Sequence, residues 1–128
     1  MSLKVPADLQ AKAEAGDVTD ADFIQCIQDS LPYAWSVVTS VADSLKANGG
    51  PFADNQEEPP TEEARGQLLR LVGSDAMRGA VERHFGVRLA FQNCHRLALF
   101  SPDAAEQYAI FTSPRAQLLN QKPELVNC

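Results

Sequence analysis

Residues 22–45 read DFIQCIQDSLPYAWSVVTSVADSL. Phe23, Ile27, Leu31, Ala34, Val38, Val41 and Leu45 recur three or four apart, the spacing of one helical face. Pro32 falls inside this run, where an interior proline removes a backbone hydrogen bond and costs about 3 kcal/mol. The apolar register continues on both sides of it. The stretch therefore predicts either one helix kinked at Pro32 or two helices meeting there. Asn48-Gly49-Gly50-Pro51 ends the pattern. A helical segment this long sets the fold class as mainly α.

Upstream, Pro6 to Ala15 reads as a short helix, with proline at its start and Gly16 just past its end. Thr19 and Asp22 have the spacing of a capping box, with Asp replacing the usual Glu. Downstream, residues 48–60 show no periodicity and predict a long irregular loop. Pro60 and Thr61 open a helical pattern that carries Leu68, Leu69 and Val72 and stops at Gly73. Ser74 opens the next, with Met77, Ala80, Val81 and Phe85, which stops at Gly86. The period then changes. Residues 87–91 and 96–100 alternate around Gln92-Asn93-Cys94-His95, the pattern of a β-hairpin. Short helices follow over Pro102–Phe111 and from Ser113-Pro114 to Leu119. The expected architecture is one domain over residues 1–128. It is mainly α with a minor β component: five or six helices and a small β-hairpin near residues 87–100.

The chain has 128 residues and a formal net charge of −6, which argues against general nucleic-acid binding. No apolar run approaches the length of a membrane span, and no secretory signal opens the chain. Three widely spaced cysteines do not make a secreted disulfide framework, so the expected compartment is the cytoplasm. The charge is unevenly spread. Residues 1–64 hold 3 Lys, no Arg and 12 acids, whereas residues 65–100 hold 6 Arg, no Lys and 2 acids. Arg65, Arg70, Arg78, Arg83, Arg88 and Arg96 thus form a net +4 segment behind a net −9 half. Arginine suits planar, bidentate contact with carboxylate or phosphate. Two readings follow: the arginines pair with the acidic half of the same chain, or they build a site for a small anionic ligand or a nucleic-acid backbone.

Cys94 and His95, with Cys26 and Cys128, form the ligand inventory of a Cys3His zinc site, but no Cys-x-x-Cys nucleus is present. Cys26 lies in an apolar helix and reads equally as a small buried hydrophobe. Cys94, beside His95 and near Arg88 and Arg96, is the candidate reactive thiol. Gly66 and Gly79 sit inside helical patterns and read as helix-packing positions. The helix pair over residues 62–85 has the turn length of a helix-turn-helix. Asp75 and Glu82 on its second helix argue for an ordinary helical hairpin. No catalytic constellation and no cofactor motif stands out. The preferred expectation is a non-enzymatic binding or interaction protein with a regulatory role. It would meet a protein partner or associate with itself through the 20–47 segment, with no membrane contact.

The chain also resembles a family of small uncharacterised proteins of actinobacteria, of the Streptomyces kind. The resemblance runs through Ser30-Leu31-Pro32-Tyr33-Ala34-Trp35, Phe52-Ala53-Asp54-Asn55 and Ala64-Arg65-Gly66-Gln67-Leu68-Leu69-Arg70. It continues in Phe85 to Arg96 and Gln117-Leu118-Leu119-Asn120-Gln121, so it covers nearly the whole length. It implies origin and a cytoplasmic location, and carries over no site residues.

Overall fold

The computed structural model describes residues 3–55, 57–92 and 95–119. They form α1 (Ala7–Ala15), α2 (Asp20–Ser30), α3 (Pro32–Asn48), β1 (Phe52–Asp54), α4 (Glu62–Val72), α5 (Asp75–Phe85), β2 (Arg88–Gln92), β3 (Arg96–Phe100), α6 (Ala105–Phe111) and α7 (Pro114–Leu119). The chain is mainly α with a small sheet. There are seven helices among the described residues, one more than the upper expectation.

Local signals set most helix ends. The Thr19 side chain accepts the Asp22 N–H while Asp22 accepts the Thr19 N–H, completing the reciprocal box expected from the sequence. Thr61 and Ser74 cap α4 and α5 in the same sense, by accepting the amides of Ala64 and Met77. Gly16, Gly49 and Gly86 end α1, α3 and α5 at φ of 76°, 64° and 65°, a left-handed backbone that glycine enters without strain. Replacing Thr19 by Ala is expected to lower stability by about 1 kcal/mol, read from urea unfolding. An unchanged midpoint would mean that α2 does not need its box.

At Pro32 two helices meet, which settles the open alternative. The Leu31 N–H donates to Ile27 O (2.8 Å), and the Leu31 carbonyl accepts the Trp35 N–H (2.9 Å). Leu31 thus closes α2 and opens α3 with no linker between them. Proline at the first helical position of α3 lacks only an N–H that would be an orphan there anyway. The apolar register survives the break because Leu31 itself is fully buried between Ile27 and Ala34 in the same core.

The loop expected at residues 48–60 contains a strand. β1 pairs antiparallel with β3, placing Phe52 opposite Phe100 and Asp54 opposite Ala98. β2 pairs with β3 in the expected hairpin, with Gln92 opposite Arg96. The sheet order is β1-β3-β2, so β3 is central. Both faces are covered. Leu89, Leu97 and Leu99 join the main core with residues of α2 to α5. Ala90, Ala98 and Phe100 face a second cluster with Ala104, Tyr108 and Phe111. α2 packs on α5, and α3 packs on α4, β1 and β3. The last helix of the second layer begins at Ala105 and not at Pro102, because Ser101 to Asp103 form a turn closed by the Ser101 hydroxyl on the Asp103 carboxylate.

Candidate functional site

Three of the six arginines, Arg78, Arg83 and Arg96, join elements of the fold. Arg65 meets Glu62 at 2.8 Å, one turn back on α4. Arg78 meets Asp75 at 2.6 Å and donates to the Val72 carbonyl at 3.2 Å, closing the α4–α5 turn. Arg83 forms a bidentate fork with Asp20 of α2, at 2.7 and 2.9 Å. This pair holds the Asp20 carboxyl below its ordinary pKa. Gly79 gives the fork its room: a Cβ there would stand 3.1 Å from the Arg83 guanidinium. The atoms nearest to a Cβ at Gly79 thus belong to a side chain of its own helix, where helix packing was expected. Arg70 is exposed in the last turn of α4.

Arg96 was a candidate ligand residue, and the structure gives it a structural position. Its Nε donates to Asp54 Oδ2 at 2.7 Å and its Nη1 to Gln92 Oε1 at 2.9 Å. Gln92, 1% exposed, donates in turn to the Phe111 carbonyl at 3.0 Å. One chain of bonds therefore ties β1, β3, β2 and α6. Asn55 extends it, accepting the Leu97 N–H at 2.7 Å and donating to the His95 carbonyl at 2.6 Å. None of Asp54, Asn55 and Gln92 stood out as a site in the sequence. Gln92 shares the strand face of Ala90, so a polar residue at an inward position was the available signal.

A second buried glutamine works at a helix end. Gln67 Oε1 accepts the backbone N–H groups of Tyr33 (2.7 Å) and Ala34 (3.2 Å), at the start of α3. Leu31, the residue before α3, has no side chain to do this. Gln67 falls on the inward face of α4 with Ala64, Leu68 and Leu71, which again marks it as a polar residue in an apolar register.

The cysteine and histidine candidates do not form a centre among the described residues. Cys26 is buried in α2, with its thiol 3.6 Å from the Lys4 carbonyl and 3.7 Å from the Ser30 hydroxyl. His95 lies at the other end of the fold's connectivity, just before β3, and burial pushes its imidazole below the usual pKa. Cys94 and Cys128 lie outside the described residues. No group of three or more His, Cys, Asp or Glu side chains converges in a metal-holding arrangement among those described.

Two clefts bring polar groups together. One follows α3 past Ser36, Ser40 and Ser44 to Asp54 and Glu57, with a volume near 410 Å³. Tyr33 borders it, and burial with the Glu57 charge raises the phenol pKa. The other, near 560 Å³, lies where α5, β2 and α6 meet, and Arg78, Arg83 and Arg88 share it with Glu82, Pro102 and Tyr108. Three of the six predicted arginines thus border one cleft. Their states differ: Arg78 and Arg83 carry carboxylate partners, whereas the exposed Arg88 places its guanidinium carbon over the Tyr108 ring, 3.6 Å from its centroid.

A family model described as "NucS shadow ORF", KH_NucS_shadow, matches residues 1–128, the whole chain. The chain belongs to this family. That description names a reading frame by its relation to NucS and assigns no activity, in line with the uncharacterised family expected from the sequence. No curated protein and no solved structure matches the chain. No described helix of this NucS shadow ORF member is long and apolar enough to cross a membrane.

Proposed function

We propose that this member of the NucS shadow ORF family is a non-enzymatic binding module that does not grip a nucleic-acid backbone. The source we infer is actinobacterial, on the sequence strings quoted above, and the working compartment the cytoplasm. The family name begins with the letters KH. The module of that name clamps the backbone of a single strand with a Gly-x-x-Gly loop. The observation that carries our reading is the turn between α4 and α5. It reads Gly73-Ser74-Asp75-Ala76, and Gly-x-x-Gly occurs nowhere in the chain. A phosphate approaching this turn would meet the Asp75 carboxylate, and the Ser74 hydroxyl already occupies the Met77 amide.

Support for binding over catalysis comes from what the polar side chains do. Arg96, Asp54 and Gln92 join elements, Gln67 caps a helix and Cys26 packs against Lys4. These contacts hold a surface in shape.

The test is a fluorescence-anisotropy titration of labelled oligo-uridine and oligo-thymidine. No saturable binding is expected at physiological salt. Binding that weakens steeply with salt, as release of several counterions requires, would overturn the reading.

A further inference from the structure

We infer that the cleft between α5, β2 and α6 is a binding site for a phosphate monoester, with Arg88 as its primary ligand. This rests on the binding-module reading and gives it a ligand class. Arg88 stands at the start of β2 and is exposed. Its guanidinium covers the Tyr108 ring at 3.6 Å, and no carboxylate is paired with it among the described residues. The face of an aromatic ring attracts a guanidinium, so Arg88 is held at the cleft before any ligand arrives. Tyr108 is itself held edge-on to the buried Phe100, with ring centroids 5.4 Å apart. The platform under Arg88 is therefore packed against the second core cluster.

The second arm is Arg83, which lines the same cleft. Its fork faces Asp20, an intramolecular carboxylate in the geometry an oxyanion would take. Both side chains are about half exposed, at 62% and 47%, so the pair is weak enough for an incoming dianion to compete with it. A phosphate monoester carries a charge of about −1.5 to −2 at pH 7 and three acceptor oxygens, which suits two forks better than a single carboxylate does. Glu82 also lines the cleft, but one of its oxygens accepts the Leu89 N–H at 2.9 Å and is thereby engaged with the backbone. Pro102 and Val87 supply an apolar wall for the body of the ester, and a cleft near 560 Å³ is of small-molecule size.

The experiment is a calorimetric titration of the full chain, at low salt, with phenyl phosphate and with inorganic phosphate. Phenyl phosphate is expected to saturate with a Kd of about 1 mM or below, and to bind more tightly than inorganic phosphate. Arg88→Met is expected to weaken it about tenfold or more with the unfolding midpoint unchanged. Asp20→Asn is expected to tighten it about threefold, by freeing Arg83. Arg70→Met, outside the cleft, is expected to leave it within about twofold of wild type, because a distant exposed charge is screened. Equal affinity in wild type and Arg88→Met, an equal loss in Arg70→Met, or no saturation would each overturn the site. Inorganic phosphate binding as tightly as the ester would overturn the ester assignment. Asp20→Asn without effect would overturn the competition at Arg83. Oligonucleotide binding in the preceding test would instead overturn the broader reading, so the two failures are distinct.

Discussion

Gln67→Leu is expected to lower the stability of the chain by about 2–3 kcal/mol, the cost of leaving buried amides without their acceptor. The substitution keeps the volume and apolar fit of the inward face of α4. It removes the oxygen that accepts the Tyr33 and Ala34 amides. α3 has no capping side chain at Leu31, and Ala34 is fully buried, so water does not replace the lost bond there. The measurement is the free energy of urea unfolding, with Gln67→Glu as comparison. Glutamate keeps the acceptor and adds negative charge at a helix N-terminus, so it is expected to lose less than leucine. Equal losses in both variants would show that packing of the residue, and not its acceptor, is what matters.

Arg96→Met is expected to cost about 3 kcal/mol, because it leaves a nearly buried carboxylate without its guanidinium. The Asp54 side chain is 8% exposed and meets Arg96 at 2.7 Å. The same substitution removes the bond from Arg96 to Gln92, which lies within the sheet and holds the Phe111 carbonyl. The double variant Asp54→Leu/Arg96→Met is expected to recover much of the loss, since a buried pair replaced on both sides by apolar groups costs little. Urea unfolding of the single and double variants gives the coupling between the two residues. Additive losses would mean that the pair contributes nothing as a pair. The position also explains why an all-arginine segment is not all site: Arg96 is needed for its planar fork, but inside the fold.

The polarised charge of the sequence acquires a concrete meaning here. The acidic half and the arginine segment meet at Asp20–Arg83, Asp54–Arg96 and Glu62–Arg65. The pairing reading therefore holds for part of the segment, and the ligand reading stays a proposal. The pairing reading describes Arg65, Arg83 and Arg96. The proposed site draws on Arg88, which pairs with no carboxylate among the described residues, and on Arg83, which Asp20 holds. Spacing along the chain could not separate these cases, because Asp20 and Arg83 are 63 residues apart.

The helices were legible because their signals are local. A capping box joins Thr19 to Asp22, a serine or threonine cap reaches three residues ahead, and a left-handed glycine acts on its own turn. The agreement of these signals with the packed core is what marks a chain that specifies one fold. The hairpin of β2 and β3 was legible for the same reason, since its partners are consecutive.

Other features depended on residues distant in sequence. Phe52–Asp54 is three residues long, too short to show a period, and becomes a strand only because the edge of β3 is open to it. Gln67 looks like a flaw in an apolar face until α3 is placed beside it, 33 and 34 residues away in sequence. Gly79 is suited to helix packing until Arg83 is seen lying across it. The sequence by itself determined most of the helices, most of their ends and the hairpin, since each follows from interactions within a few residues. Only the tertiary structure decided which arginines, Arg70 and Arg88 among the described residues, are left without a carboxylate, because that depends on which acids the fold brings near.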